Sequence, residues 1–232
     1  MEMNKTQIPD LRLWRLLGMA GLIGAIMVGI GEFMVHFSPE GMEGEDFALF
    51  GPVSDRNLTI GHFLMVSFLP LYVFGYLHLY QGFRPGGKKL AAAVFVFGVF
   101  SFMVGGIWVG SRAFIGSLQH LLDTPETVEI WKEVAARYFF FLENLVQALR
   151  VLILALSVCF IAVVIRGGTI YPRWYAACAP IIPLVLIFTC YILVPSIGKY
   201  LLPAAMNVAH VIVFALSLIT GTKRLRSLEK AS

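Results

Sequence analysis

Six apolar runs separated by short polar stretches order the whole chain, at about 16–35, 58–80, 90–110, 138–165, 174–194 and 201–219. Each is close to the roughly 20 residues that a helix needs to cross a bilayer. The pattern therefore predicts an all-α, polytopic six-transmembrane-helix bundle, with residues 1–232 forming a single membrane domain. Gly21, Ala25 and Gly29 recur at i, i+4 and i+8 on one face of the first run, a spacing that allows close helix approach. Glu32, three residues further on, continues that packed face. Pro70 lies midway along the second run. Pro180 and Pro183 fall in the fifth, which is expected to bend or partly unwind where neighbours can satisfy the freed carbonyls. Thr124-Pro125-Glu126 reads as an N-cap with proline at the first helical position, and the helix it opens is expected to run straight into the fourth span. The first run follows a basic start, as in a signal peptide. It lacks a small-residue cleavage pattern and precedes further spans, so an uncleaved helix is predicted.

Composition strengthens the membrane reading. Apolar residues make up 58% of the chain and charged residues 14%, where a soluble domain carries about a quarter charged. The net charge of +4 reads as topology, not as a nucleic-acid footprint. Lys5, Arg12, Arg15, Arg84, Lys88, Lys89, Arg166, Arg173, Lys223, Arg224, Arg226 and Lys230 fall on one side when the loops are taken alternately. Arg56, Lys132, Arg137 and Lys199 fall on the other. Positive residues stay in the cytoplasm, so both termini are expected there, with the chain multi-pass in the cell inner membrane. The acidic loop over Ser38–Asn57 then faces outward. Cys159, Cys178 and Cys190 lie within apolar runs and form no CxxC pair, which suits buried structural thiols.

The fourth run is unusual because Glu143, Asn144, Gln147 and Arg150 interrupt it. Glu143, Gln147 and Arg150 are spaced i, i+4, i+7 on one helical face. A charge at membrane depth costs roughly 2.5–3.5 kcal/mol on insertion scales and normally faces protein or a water-filled cavity. That face is therefore expected to look inward. Glu32, His62, Arg112, Tyr191, Asn207 and His210 fall in the outer half of the other spans, which predicts one polar cavity opening outward above an apolar, tightly packed inner half. Glu143 and Arg150 are about 10 Å apart along the helix axis. The expected pairs are thus Glu32 with Arg150 and Glu143 with Arg112. Glu32, His62, Glu143 and His210 include the ligand types that suit zinc or iron. They lie on four helices without HxxE or HExxH spacing, so no metal is predicted and no cofactor is identified. A bis-histidine haem between His62 and His210 is set aside because their depths differ.

Several stretches carry a resemblance: Gly29-Ile-Gly-Glu32, Gly61-His62, Pro70-Leu-Tyr72, Gly75-Tyr-Leu-His78-Leu-Tyr80, Tyr171-Pro-Arg-Trp174 and Asn207-Val-Ala-His210. Together they resemble a bacterial family of six-helix membrane proteins known only as a domain of unknown function. In that family the position of Glu32 is usually Asp, so the acid is kept here one methylene longer. The resemblance implies the fold and brings no activity. Three functions fit the residues. The first is an enzyme or binder for a small amphipathic or lipid-like molecule in the bilayer. Glu32, Glu143, His62 and His210 would be its acid/base set, and Arg112, Asn144, Gln147, Arg150, Tyr191 and Asn207 its ligand contacts. The second is a proton-coupled transporter, whose small size and missing internal repeat a homodimer would offset. The third is a non-catalytic structural or immunity-type membrane protein. The first is favoured, because the polar groups exceed what packing requires.

Overall fold

A computed structural model describes residues 9–37, 53–120 and 124–230. Lys5 and most of the expected acidic loop lie outside the described residues. Asp10 caps the first helix by accepting a hydrogen bond from the Leu13 N–H at 2.8 Å. That helix, α1 (Leu11–His36), buries Trp14, Gly18, Gly21, Ala25, Val28, Glu32 and Val35. The steps alternate four and three, the 3.5-residue seam along which helices wrap around one another. Packed about α1 are α2 (Asp55–Phe68), α3 (Leu71–Phe83) and α8 (Ala205–Lys230). Gly21 lets α3 in, since a Cβ there would overlap the Gly75 Cα.

The second span is α2 and α3 together, interrupted at Pro70. Proline has no N–H to donate, and the ladder restarts with Tyr72 and Val73 donating to the Leu69 and Pro70 carbonyls. After a 3-10 turn at Arg84–Gly86 come α4 (Lys88–Gln119) and α5 (Pro125–Arg166), packed side by side. Thr124 caps α5 as expected: its hydroxyl accepts from the Thr127 N–H, and the Thr127 hydroxyl accepts from the Thr124 N–H. The helix continues unbroken into the fourth span. Its 42 residues measure about 63 Å at 1.5 Å per residue, twice the roughly 30 Å of a hydrocarbon core.

The fifth apolar run is divided. Arg173–Cys178 is a 3-10 helix, and α6 (Ile181–Leu193) beyond Pro180 has 13 residues, about 20 Å of α-helix. The unwinding expected around Pro180 is present. Past Val194, α7 (Pro195–Leu201) folds back so that Gly198 meets the Tyr191 backbone. Among the described residues, five helical stretches are long and apolar enough to cross a membrane, and α6 is a shorter apolar helix beside them.

One end of the bundle gathers Trp14 of α1, Gly82 of α3 and Gly221 of α8 around the Ile170–Tyr171 turn: Gly221 meets Trp14 and Ile170, and Gly82 meets Tyr171 and accepts from the Ile170 N–H. Arg15, Arg84, Lys88, Arg166, Arg173 and Lys223 flank these positions in sequence, so this is the basic end. Between the ends, large apolar side chains such as Ile23, Ile30, Phe63, Phe100, Ile107, Leu154 and Val158 are exposed. Apolar surface on this scale is what a bilayer covers. The fold is that of a helical membrane protein.

Candidate ligand groove

At the end opposite the basic one, helical spacing brings five polar side chains together. Glu32 and His36 stand i, i+4 on α1, and Trp108 and Arg112 do so on α4, which puts each pair on one helical face. With Arg150 of α5 they line a groove of about 400 Å³ between α1, α4, α5, α6 and the start of α8. The rest of its wall is mainly apolar, including Leu149, Ile153, Ile181, Leu184, Val185 and Phe188. A smaller space of about 50 Å³ adjoins it, lined by Val28, Leu69, Phe102 and Gly106 among others. Glu32, Trp108, Leu149 and Met206 line both and form the partition. Depth follows from counting residues. Glu32 is 17 residues from Arg15, Arg150 is 16 from Arg166, and Asn207 is 16 from Lys223. Each separation is about 24–26 Å, which places this polar cluster towards the far boundary of the hydrocarbon core.

The Arg112 guanidinium lies over the Trp108 ring, 4.0 Å from its centroid, a cation–π contact. Glu32 and Arg112 are within electrostatic reach of each other. On the carboxylate's other side, Asn207 Nδ2 donates to Glu32 Oε2, and the Tyr72 hydroxyl donates to Asn207 Oδ1, both at 2.5 Å. A buried carboxylate needs such a cation and donor to offset its desolvation. The His36 and Trp108 rings are 5.7 Å apart. Trp108 Nε1 is buried and has no hydrogen-bond partner among the described residues.

From Asn207 a buried polar ladder descends along α8, whose Asn207, His210, Phe214 and Ser217 form one stripe. The His210 Nδ1–H donates to the Met206 carbonyl at 2.7 Å, and His210 Nε2 accepts from the Tyr76 hydroxyl at 2.6 Å. Phe214 fills the next level, against Gly75 and Gly21. Below it the His78 Nδ1–H donates to the Trp14 carbonyl at 2.8 Å. His78 Nε2 accepts from Ser217 at 2.6 Å, and Ser217 Oγ accepts from Tyr171 at 2.7 Å. The half of the bundle towards the basic end thus holds a buried polar network of His78, Ser217 and Tyr171, where the sequence pattern predicts an apolar interior.

The groove and ladder take some of the sequence-derived candidates and leave others elsewhere. Glu32, Arg112, Arg150, Asn207 and His210 come together at or just beneath this end. Glu143, Asn144 and Gln147 do not: all three are exposed on α5. There they satisfy one another locally. Gln147 Nε2 donates to Glu143 Oε1, Asn144 Nδ2 donates to the Phe140 carbonyl, and Arg150 Nη1 stands 3.7 Å from Glu143 Oε1. The expected pairs are thereby exchanged, Arg150 meeting Glu143 and Arg112 facing Glu32. Two long side chains close the axial gap that seemed to separate Glu143 from Arg150. The inward face of α5 belongs instead to Trp131, Ala135, Leu142, Ile153, Leu156, Phe160 and Val163. Glu143 is 23 residues from Arg166, about 35 Å, beyond the core thickness and within reach of water. His62 is half-buried on α2 beside Phe63, and Tyr191 packs on Gly198; neither lines the groove or the smaller space. No cluster of three or more metal-ligating side chains forms among the described residues. Sequence reasoning missed His36, Trp108, Tyr72 and Tyr76. The i, i+4 steps from Glu32 to His36 and from Trp108 to Arg112 were the available signal.

No curated protein and no solved structure matches the chain. A model of a family of unknown function (DUF6796) matches residues 3–224, nearly the whole length. The chain belongs to that family.

Proposed function

We propose that the groove holds one small amphipathic or lipid-like molecule. Its polar end lies among Glu32, His36, Trp108, Arg112 and Arg150, and its chain runs along Ile153, Leu184, Val185 and Phe188. The carrying observation is the union, in one groove of about 400 Å³, of an apolar wall and a cluster of polar groups in which Glu32 and His36 are buried. Ligand sites typically occupy roughly 300–1,000 Å³ and combine a mostly apolar lining with a few placed polar groups. The charges of the basic end favour a cytoplasmic location for that end and for both termini, in the cell inner membrane. The molecule then enters from the outer leaflet. Glu32, bordering both spaces, is the carboxylate placed for proton transfer to or from it. The test is native mass spectrometry with lipid identification on wild type and on Val185→Trp, which inserts an indole into the groove. Wild type is expected to keep one defined amphiphile through delipidation, and V185W to lose it. The same unselective lipid mixture on both proteins would sink the reading.

The ladder from Glu32 to Tyr171 favours a second reading, a proton-coupled transporter using these groups as a relay. The level of Phe214, Gly21 and Gly75 interrupts the ladder and would have to open. Proton flux in proteoliposomes that is lost in Glu32→Gln and kept in V185W would select this reading. Absence of flux in wild type would reject it.

A further inference from the structure

The geometry points to an oxyanion site: the polar end of the groove takes the carboxylate or phosphate head of an amphiphile, with Trp108 Nε1 as its principal donor and His36 beside it. This rests on the groove reading above and narrows it to one chemical class. An indole N–H can only donate. Trp108 Nε1 is buried without an acceptor among the described residues. Buried polar groups are nearly always matched, and an unmatched one calls for an explanation such as an absent ligand. An acceptor head group supplies what the indole nitrogen lacks, and the His36 ring, which faces the Glu32 and Pro203 carbonyls, packs beside it.

The charge around them selects an anion over other acceptors. Arg112 lies on the Trp108 ring, so the donor is backed by a fixed positive charge, and hydrogen bonds to ionised acceptors are the stronger kind. Arg150 stands at the rim. Its contact with Glu143 is 3.7 Å long between side chains more than half exposed, which leaves its charge available to a ligand. Glu32 is the only acid among the described groove residues, and its Oε2 is already held by Asn207. A cationic head would meet Arg112 directly. A neutral alcohol would gain one hydrogen bond and none of the charge.

The test uses full-length protein in phosphatidylcholine nanodiscs, photolabelled with diazirine-bearing hexadecanoate. Hexadecanoate, hexadecyl phosphate, hexadecanol and hexadecyltrimethylammonium compete. Labelling is expected on the wall around Leu184 and Val185, with at least one of the two anions competing about ten-fold better than the alcohol or the ammonium. Whichever anion is stronger identifies the source, and either supports the site. Trp108→Phe keeps an aromatic ring for Arg112 and removes the N–H. It is expected to weaken anion competition several-fold and labelling by diazirine-bearing hexadecanol much less. Equal competition by all four heads, or an unchanged anion in W108F, overturns the oxyanion site and leaves the groove standing. No saturable labelling of the wall by either probe overturns the groove reading itself.

Discussion

The seam between α1, α3 and α8 and the polar end of the groove both bury groups that lipid cannot satisfy, yet they treat them differently. In the seam each donor is met: Tyr72 by Asn207, Asn207 by Glu32, Tyr76 by His210, Tyr171 by Ser217 and Ser217 by His78. In the groove, Trp108 Nε1 is equally buried and, among the described residues, unmatched. A matched network in a dry interior fixes the register of the helices that carry it. An unmatched donor adds nothing to that register, and it is what a ligand would meet. The same residue chemistry thus does structural work on one side of Glu32 and is left open on the other.

The seam can be broken most severely at its closest contact. A side chain at Gly21 has no space, because its Cβ would overlap the Gly75 Cα and backbone cannot rotate aside. Overpacking ordinarily costs about 1–3 kcal/mol where side chains can adjust, and here the helices themselves must part. Gly21→Leu is expected to yield little monodisperse protein on size-exclusion chromatography after extraction. A wild-type elution profile and Tm would show that α1 and α3 are not held this closely.

Next in size is the residue joining the seam to the groove. Asn207→Leu nearly conserves volume but strips Glu32 of its donor and Tyr72 of its acceptor. Leaving a buried acceptor without its donor costs roughly 1–3 kcal/mol, and more when the acceptor is charged, read as a clear fall in Tm. Adding Glu32→Gln to Asn207→Leu removes the charge that has lost its donor and should recover part of the loss. If the double variant is as unstable as the sum of both changes, Glu32 and Asn207 are not coupled.

The two regions were unequally legible in the sequence. The seam was readable because Gly21, Ala25, Gly29 and Glu32 share one face by spacing alone, and small residues in a membrane helix mark close packing. Asn207 and His210, three apart, were readable for the same reason. The rotation of α5 was not. Hydrocarbon and protein interior are both apolar, so an apolar stripe does not announce which neighbour it faces. The rule that charges turn inward then gave the wrong face to Glu143 and Gln147. The rule presupposes depth, and a 42-residue helix carries its outer part past the core. The divided fifth run was half readable: Pro180 announced unwinding, while the return of α7 onto α6 needed the Tyr191–Gly198 contact that only the fold reveals. The N–H of Trp108 gave no signal at all, because nothing in its neighbours' identity says whether an indole N–H has found an acceptor.

The finest test of the contrast compares two single-atom-scale deletions. Tyr72→Phe removes a hydroxyl that Asn207 accepts, and leaving a buried acceptor unmet should cost about 1–3 kcal/mol. Trp108→Phe removes an N–H that has no acceptor among the described residues, so the usual penalty for breaking a hydrogen bond does not arise and only ring packing is lost. In thermal unfolding of delipidated protein, Y72F should lower Tm clearly and W108F far less. A ligand stabilises only in proportion to its affinity for the folded state. Saturating hexadecyl phosphate or hexadecanoate should therefore raise the Tm of wild type and Y72F more than that of W108F. If W108F is as damaging as Y72F without ligand and the anion shifts all three equally, the indole N–H belongs to the fold, and the groove end is a continuation of the seam.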